Sequence, residues 1–471
     1  MRQVLVSLLA ATTLGACAVG PNYAEPNDDV AAPWAVAATN DQPDAMPDQW
    51  WSLLGDDELD RLLALTAQAN LDVGIARARV EEARALRGSA RSGLLPQAEI
   101  NARYTQFEQS IESPTAGGTL IDAGLIPRDV DFYTSSLDAS WEVDVFGARR
   151  RQLEAANAQL DAVVAEHDAV RLAALSETAT AYFELRGAQE RIEIAESNVA
   201  AQGRTLELTR RKVDAGLARR VDVLRAEAQW NAARAVIPGL RATIRASNYR
   251  LAVLTGQRPE AMRDEVVAET DLPAAPEAVP VGLRADILRR RPDIVAAERQ
   301  LAAATAEIGV AKADFFPRLV LSGSYGFEAA DSFGIGDGRA RTTAVVPFVR
   351  WPVFQGGRLR ANLEGASARA RGAALAYEKA VLQALADAES AIVAYTEEAA
   401  TYVRLDGAAE ASIQAADIAE RLYEQGLADF LTVLDAQARR DEAADARALS
   451  QTRLLLNLAR VYKALGGGWQ V

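Results

Sequence analysis

The chain has 471 residues, a formal net charge of -14, a single cysteine and a single histidine. The acidic balance argues against binding to nucleic acid, and a lone cysteine excludes a disulfide within the chain. Hydrophobic residues make up 49% of the sequence but aromatic residues only 6%, because much of the apolar content is alanine. Small side chains at high density favour long helices that pack closely side by side.

The N-terminus has the features of a secretion signal. The apolar run over 4–14 is too short to span a bilayer, and it leads through small residues directly to Cys17. This pattern is typical of bacterial lipoproteins, so we predict that residues 1–16 are removed and that Cys17 carries lipid. The alternative is an ordinary secretion signal with an unrelated cysteine. The residue after the cysteine is Ala18 and not an aspartate, which favours sorting to the outer membrane. The Pro-rich residues 17–50 predict an extended tether.

The rest of the chain contains one sequence unit that occurs twice. Residues 70–96 align with 291–317 without a gap, at an offset of 221 residues (291 − 70), and 216–218 align with 426–428 at an offset of 210 (426 − 216). A unit of about 200 residues is longer than the solenoid periods of about 20 to 50 residues, so it indicates a duplicated half-domain. The predicted boundaries are 50–255 for the first repeat, 256–280 for the linker, 281–466 for the second repeat and 467–471 for the tail.

Each repeat is predicted to begin with a helix that is followed by two strands. A first helix starts at the acidic residues 56–58, and a second runs over 72–95 until Pro96 stops it. Apolar and polar residues then alternate with period two, which indicates strands of a sheet that faces two solvents. Pro347 weakens the last of these strands. The predicted strands are 98–104, 132–145, 318–327 and 342–354.

A long helical hairpin is predicted to follow each pair of strands. The helical pattern runs from Gly147 to Gly216 and again from Gly357 to Gly426, and each stretch would be about 100 Å long as one continuous helix. Placed end to end with the helix that precedes the strands, the returning helix reaches the length of its long partner. The pattern therefore predicts antiparallel pairs of one continuous rod and one two-piece rod. The returning helices are predicted over 217–256 and 427–465.

Four strands per chain have a consequence for assembly. Transmembrane barrels start at about eight strands, so four strands cannot close a barrel alone. An open edge in lipid leaves backbone groups without hydrogen bonds, at several kcal/mol each. If these strands cross a membrane, several chains must share one barrel.

Several short motifs occur along the whole mature chain in the order that one protein family has. They are Cys17-Ala18-Val19-Gly20-Pro21-Asn22-Tyr23, Trp50-Trp51, Arg290-Arg291-Pro292-Asp293-Ile294, Ala297-Glu298-Arg299-Gln300-Leu301, the segment 308–317, Thr432-Val433-Leu434-Asp435-Ala436-Gln437 and Ala464-Leu465-Gly466-Gly467-Gly468-Trp469. In these motifs the chain resembles the outer-membrane factors of the TolC family, in the branch of NodT-type efflux lipoproteins.

The resemblance implies a mainly α-helical homotrimer with a small β part. Three chains of four strands would form one 12-stranded β-barrel in the outer membrane of a Gram-negative bacterium, continued by a long α-helical barrel in the periplasm. It implies the passive exit duct of a tripartite efflux pump. The duct would receive small molecules through a periplasmic adaptor protein from an inner-membrane transporter of the resistance-nodulation-division type. The alternative is the duct of a type I protein secretion system. The resemblance implies no cofactor and no metal.

The resemblance also assigns roles to the turns at the far end of the hairpins. Gly216, Leu217, Gly426 and Leu427 correspond to residues that contact the adaptor in this family. Glycine suits a chain reversal that needs positive φ, so a turn without any partner would have the same sequence.

Residues near these turns correspond to the periplasmic aperture of the family. They are Asp222, Tyr423 and Asp435, and in a trimer each aspartate would form a ring of three carboxylates that attracts cations. The alternative is a solvated helix carboxylate. Thr432 stands where a second constriction aspartate can occur, and Ala428 where an arginine can tie the helices. The arginines that could replace that tie are Arg219 and Arg220.

Two other classes of function compete with a duct. An enzyme is disfavoured because His167 lies in the middle of a long helix, with no second metal ligand and no triad spacing. A scaffolding lipoprotein without a pore would explain the helices but not four two-faced strands at matched places. The arginine runs 149–151 and 289–291 lie at element junctions, where we predict solvated charge.

Overall fold

The structure of the protein is a computed structural model. The residues it describes are 18–26, 34, 49–112, 116–262, 272–276, 279 and 284–468. Cys17 and the predicted signal peptide lie outside the described residues, as do most of the predicted tether and part of the predicted linker.

The three longest pairs of equivalent helices match in length, which confirms the internal repeat. The first repeat forms α1 (Asp57–Ala69), α2 (Leu71–Ser92), β1 (Gln97–Glu108), the short α3 (Ala116–Asp122), β2 (Asp129–Val143), α4 (Ala148–Asp214) and α5 (Arg220–Leu254). The second forms the short α6 (Ile287–Arg290), α7 (Pro292–Ala313), β3 (Arg318–Ala329), β4 (Arg341–Arg350), α8 (Arg358–Glu424) and α9 (Phe430–Ala464). Helices α2 and α7 have 22 residues each, α4 and α8 have 67, and α5 and α9 have 35.

The helix ends follow local hydrogen bonding. Asp56 caps α1, because its carboxylate accepts from the backbone N–H groups of Glu58 and Leu59, both at 3.1 Å. Helix α2 ends at Ser92, about one turn before the end predicted from Pro96. The backbone amides of residues 93–95 each donate to a carbonyl three residues earlier, so the α-helical bonding pattern stops there. Helices α4 and α8 continue through their internal glycines without a break.

The chain divides into two compact units. The described residues of the first come from Met1–Pro26, Glu81–Ala162 and Glu298–Ala376, and those of the second from Asn27–Val80, Val163–Ala297 and Tyr377–Val471. The first unit contains the sheet, and the second contains both helical turns and the larger core. Among the described residues, no helix combines the length and the apolar character that a membrane span requires.

The sheet of the first unit is antiparallel, with the strand order β1-β2-β3-β4. Successive side chains of a strand point to opposite faces, so each cross-strand row lies on one face. One row joins Ile100, Leu137 and Tyr325, and the next row, on the other face, joins Glu99, Asp138 and Ser324. The predicted two-faced sheet is therefore present. Pro347 lies in β4, an edge strand of this sheet, where a proline is tolerated.

The core of the second unit depends on small residues where helices approach closely. Ala384 and Ala388 of α8 and Ala181 of α4 are fully buried. A Cβ atom on Gly187 of α4 would lie 2.1 Å from the Oγ1 atom of Thr452 of α9, so only glycine permits this distance. The alanine-rich composition thus serves close helix packing, as the sequence predicts.

Each returning helix ends against the helix that precedes the strands of the same repeat. The Nδ2 group of Asn70, the residue before α2, donates to the carbonyl of Leu254 at the end of α5, at 2.9 Å. In the second repeat, Nη1 of Arg291 donates to the carbonyl of Ala464 at the end of α9, at 3.1 Å. These two joints build the two-piece rods that the element lengths predict.

Candidate functional site

Both helical hairpins reverse at a glycine turn. We call α4–α5 hairpin 1 and α8–α9 hairpin 2. Gly216 and Gly426 have φ of 72° and 77°, and in both turns the next amide donates to a carbonyl five residues earlier at 2.8 Å. Leu217 and Leu427 follow these glycines and are 77% and 72% exposed. The four predicted adaptor-contact residues thus form two solvent-exposed tips with an apolar side chain on each.

The helices after the turns are capped by carboxylates at different positions. Asp222 and Thr432 are equivalent at the offset of 210. In hairpin 1, Oδ2 of Asp222 accepts from the backbone N–H of Arg219 at 3.2 Å, and Arg225 lies 3.9 Å away. In hairpin 2, Oδ1 of Asp429 accepts from the backbone N–H of Thr432 at 2.8 Å. The two caps thus differ: the carboxylate lies three residues after the N-cap residue in hairpin 1 and on the N-cap residue itself in hairpin 2, and Asp222 is buried.

Tyr423 joins the two hairpins. Its side chain is 6% exposed and packs against Phe430, with ring centres 5.9 Å apart. From hairpin 1, the Nζ of Lys212 donates to the Tyr423 carbonyl at 2.5 Å and lies 3.6 Å from the centre of its ring. The hydroxyls of Thr209 and Tyr423 are 3.5 Å apart. Neither Lys212 nor Thr209 was predicted from the sequence, since spacing along the chain carries no signal for a contact between repeats.

Asp435 lies on an exposed surface of α9. Its side chain is 66% exposed, and it accepts from Nε of Arg439, one turn later, at 2.9 Å. Within the described part of the chain, no hydrogen bond connects Asp435 with Asp222 or Tyr423. The three predicted aperture residues thus occupy the same end of the hairpins in separate surroundings, and their role in an aperture stays a prediction.

A row of polar contacts, which we call the polar seam, joins α4 to α9 above the tips. It was not predicted, because its residues are ordinary helix-surface types. Burial raises the pKa of the Asp441 carboxyl in this seam above its ordinary value, against the opposing effect of Arg440. The bonds join Gln202 to Asp441 at 2.6 Å, Gln437 to Thr205 at 2.8 Å and Arg191 to Asp445 at 2.7 Å.

Residues 18–26, which we call the N-terminal strap, dock onto the first unit. The backbone N–H of Val19 donates to the carbonyl of Phe146 at 3.1 Å, at the junction of β2 and α4. A Cβ atom on Gly20 would lie 2.5 Å from the Cα atom of Gly309, so the strap lies directly on α7. Cys17, one residue before the strap, lies outside the described residues.

The prediction of solvated charge is wrong for the last arginine of each run. Arg151 is 3% exposed and holds the strap, donating to the carbonyl of Val19 at 3.3 Å and to Oδ1 of Asn22 at 2.6 Å. Arg291 is 9% exposed and pairs with Asp293 at 2.6 Å besides holding the joint described above. Both are buried because backbone carbonyls and polar side chains satisfy their donors, which charge patterning along a sequence cannot reveal.

His167 lies beside a carboxylate of its own helix. Nδ1 of His167 is 3.0 Å from Oδ1 of the adjacent Asp168, and no group of three or more potential metal ligands occurs among the described residues.

Comparison with known proteins places these features in a family. Residues 62–257 and 283–467 match the family described as outer membrane efflux protein, so both repeats are covered. Nodulation protein T of Rhizobium leguminosarum bv. trifolii is 32% identical over 467 residues, which are 97% of this chain and 95% of that protein. The pyoverdine export outer membrane protein OpmQ of Pseudomonas aeruginosa is 32% identical, over 99% of this chain and 97% of that protein.

A solved structure agrees over the same length. The outer-membrane channel OprN has a TM-score of 0.88 and 38% identity, and the match covers 97% of this chain and 100% of that one. The chain therefore belongs to the outer membrane efflux protein family. It is a channel component for efflux at the outer membrane, and its relatives are channel proteins and not enzymes.

Proposed function

We propose that three copies of this chain form the passive exit duct of a tripartite efflux pump for small molecules. The duct would dock through its tips onto a periplasmic adaptor protein, which connects it to an inner-membrane transporter of the resistance-nodulation-division type. The observation that carries this proposal is the match to OprN over that channel's full length. The export of pyoverdine, named for OpmQ, favours small molecules over the secreted proteins of a type I system.

The sheet supports a shared barrel. Strands β1 and β4 have no partner on their outer sides within this sheet, and an exposed strand edge can pair with another chain. Three sheets joined at these edges would give a closed 12-stranded wall with no free backbone groups in lipid. The row with Ile100 and Leu137 would then face lipid, and the row with Glu99 and Asp138 would face the water-filled lumen.

The helices of the second unit support the same assembly. Contacts join α5 to α4 (Arg241 to Glu196 at 3.1 Å), α4 to α9 through the polar seam, and α9 to α8 (Asn457 to the carbonyl of Ala394 at 3.1 Å). Away from the tips these contacts give the order α5-α4-α9-α8, with α5 and α8 outermost, while beside the tips α4 also contacts α8 through Lys212 and Tyr423. A head-to-tail contact between the outer helices of adjacent copies would close a ring.

Both outer helices carry exposed large apolar side chains that such a contact would cover. On α8, Leu382 is 61% exposed and lies two positions from the buried Ala384. On α5, Val253 is 60% exposed and lies two positions from the buried Leu251. Two positions correspond to about 200° around a helix, so these side chains point away from their own unit.

The N-terminal strap supports a lipid anchor at Cys17. Val19 is bonded at the β2–α4 junction, so a lipid on Cys17 would be attached close to the end of the sheet, where a membrane surface would lie. We expect Cys17→Ser to abolish incorporation of radiolabelled palmitate. Ala18→Ser keeps the cysteine and should retain the label. Label that persists in Cys17→Ser would contradict the anchor.

Reconstitution tests the proposed function directly. Purified full-length protein should run as a heat-sensitive trimer on a gel and give discrete conductance steps in planar lipid bilayers. A monomer in the periplasmic fraction that gives no conductance would overturn the proposal in favour of a scaffold. Crosslinking at the tips to co-expressed adaptor protein should be lost in Leu217→Glu combined with Leu427→Glu, while the trimer persists.

A further inference from the structure

The contact between Lys212 and Tyr423 links the two hairpins beside their tips, beyond the end of the polar seam. Lys212 is in the last turn of α4 and Tyr423 in the last turn of α8. The ammonium group is bonded to a carbonyl at the end of α8 and lies over the ring of the same residue, at 2.5 and 3.6 Å. Thr209, one turn earlier on the same face of α4, approaches the other end of that ring.

No carboxylate takes part in this contact. Among the described residues Lys212 forms no ion pair, and the carboxylates of Asp222 and Asp429 accept the helix-capping bonds. The attraction has two sources: a carbonyl at a helix C-terminus carries partial negative charge, and the face of an aromatic ring attracts cations. Because the Tyr423 side chain is 6% exposed, solvent and salt screen this attraction only weakly.

The repeat shows that this contact occurs once per chain. At the offset of 210, the equivalent of Lys212 is Leu422 and the equivalent of Tyr423 is Val213. Neither substitute can form a cation–π contact, so the duplicated sequence does not provide the link a second time. Lys212 therefore connects hairpin 1 to hairpin 2 in an asymmetric way, beside the tips.

We propose that Lys212 is the positioning residue that holds the tip of hairpin 2 against hairpin 1, and that it thereby limits how far the periplasmic end of the duct opens. The inference rests on the proposed function as a duct. Thr432 and Ala428 supply neither a carboxylate nor an arginine near this turn, and neither Arg219 nor Arg220 forms a side-chain ion pair in the described part of the chain. The lysine–ring contact supplies the link instead.

Single-channel recording of the full-length trimer tests the role of Lys212. Lys212→Met keeps the length of the side chain but removes its charge, and it should raise the open-to-closed ratio about tenfold, as expected for loss of one sheltered cation–π contact. Lys212→Arg keeps a cation, and Tyr423→Phe keeps the ring and the carbonyl, so both should conduct like the wild type. Lys463→Met makes the same change at an exposed lysine of α9 and serves as the matched control.

A double variant separates this role from general weakening of the tip. Tyr423→Leu removes the ring but keeps the backbone carbonyl, so it should open the channel less than Lys212→Met. The combined variant should open it no further than Lys212→Met alone, because the contact is already lost without the ammonium group. If Lys212→Met does not assemble, Tyr423→Leu compared with Tyr423→Phe decides the question. Wild-type-like gating in Lys212→Met, or additive effects in the double variant, would overturn the inference. A wild-type trimer without any conductance would instead refute the proposed duct.

Discussion

Among single residues, Asp441 makes the stability of the folded protein at the polar seam depend on pH. Burial raises the pKa of this carboxyl in the folded protein, so the folded state binds its proton more tightly than the unfolded chain does. Its contribution to stability is therefore most favourable below the ordinary aspartate pKa of about 3.9, and it is lost as the pH rises through the raised value.

Asp441→Asn should remove this dependence. The variant keeps an oxygen that can accept from Gln202, and Arg440 retains Glu420 at 3.3 Å. The trimer dissociation temperature is measured by heating samples before electrophoresis. We expect the value of the variant minus that of the wild type to increase from pH 4 to pH 7. Asp435→Asn, at an exposed position, is the control. A difference that moves the other way would show that the seam requires the ionised carboxylate.

Measurements of ion selectivity test whether Asp435 and Arg439 line the conducting path. A ring of three exposed carboxylates favours cations, and the neighbouring guanidinium one turn away offsets part of that charge. Asp435→Asn should lower the cation-to-anion permeability ratio, and Arg439→Gln should raise it, both measured from reversal potentials in asymmetric salt. Equal ratios in all three proteins would place Asp435 away from the conducting path.

At the scale of elements, the joint at Asn70 shows how two helices act as one rod. Its Oδ1 caps α2, and its Nδ2 holds the end of α5. Asn70→Asp keeps the cap but cannot donate to the Leu254 carbonyl, whereas Asn70→Ala loses both. We expect Asn70→Ala to cost about 1 kcal/mol more than Asn70→Asp, the value of one N-cap. The measurement is the free energy of trimer dissociation in denaturant, and equal losses would mean that the cap contributes nothing.

Element lengths and faces could be predicted from the sequence, because they depend on local patterns. The two aligned segments with Asn70 and Arg291 predicted paired helices, and alternating residues around Leu137 predicted a two-faced sheet, as the structure has them. Contacts between distant segments could not be predicted. Arg151 and Lys212 bind backbone carbonyls 132 and 211 residues away in sequence, and neither acceptor leaves a pattern in the chain.

At the scale of the whole molecule, the proposed trimer depends on the outer faces of α5 and α8. Leu382→Glu places a carboxylate on the outward face of α8, where the proposed assembly would bury it without a partner, at a cost of several kcal/mol for each of three interfaces. We expect this variant to be recovered largely as monomer by native mass measurement in detergent. Leu217→Glu adds the same charge at a tip that is 77% exposed, so it should remain trimeric, and together with Leu427→Glu it should lose only crosslinking to the adaptor. The two variants thus distinguish the surface that closes the ring from the surface that meets a partner, and a trimeric Leu382→Glu protein would exclude this face of α8 from the subunit contact.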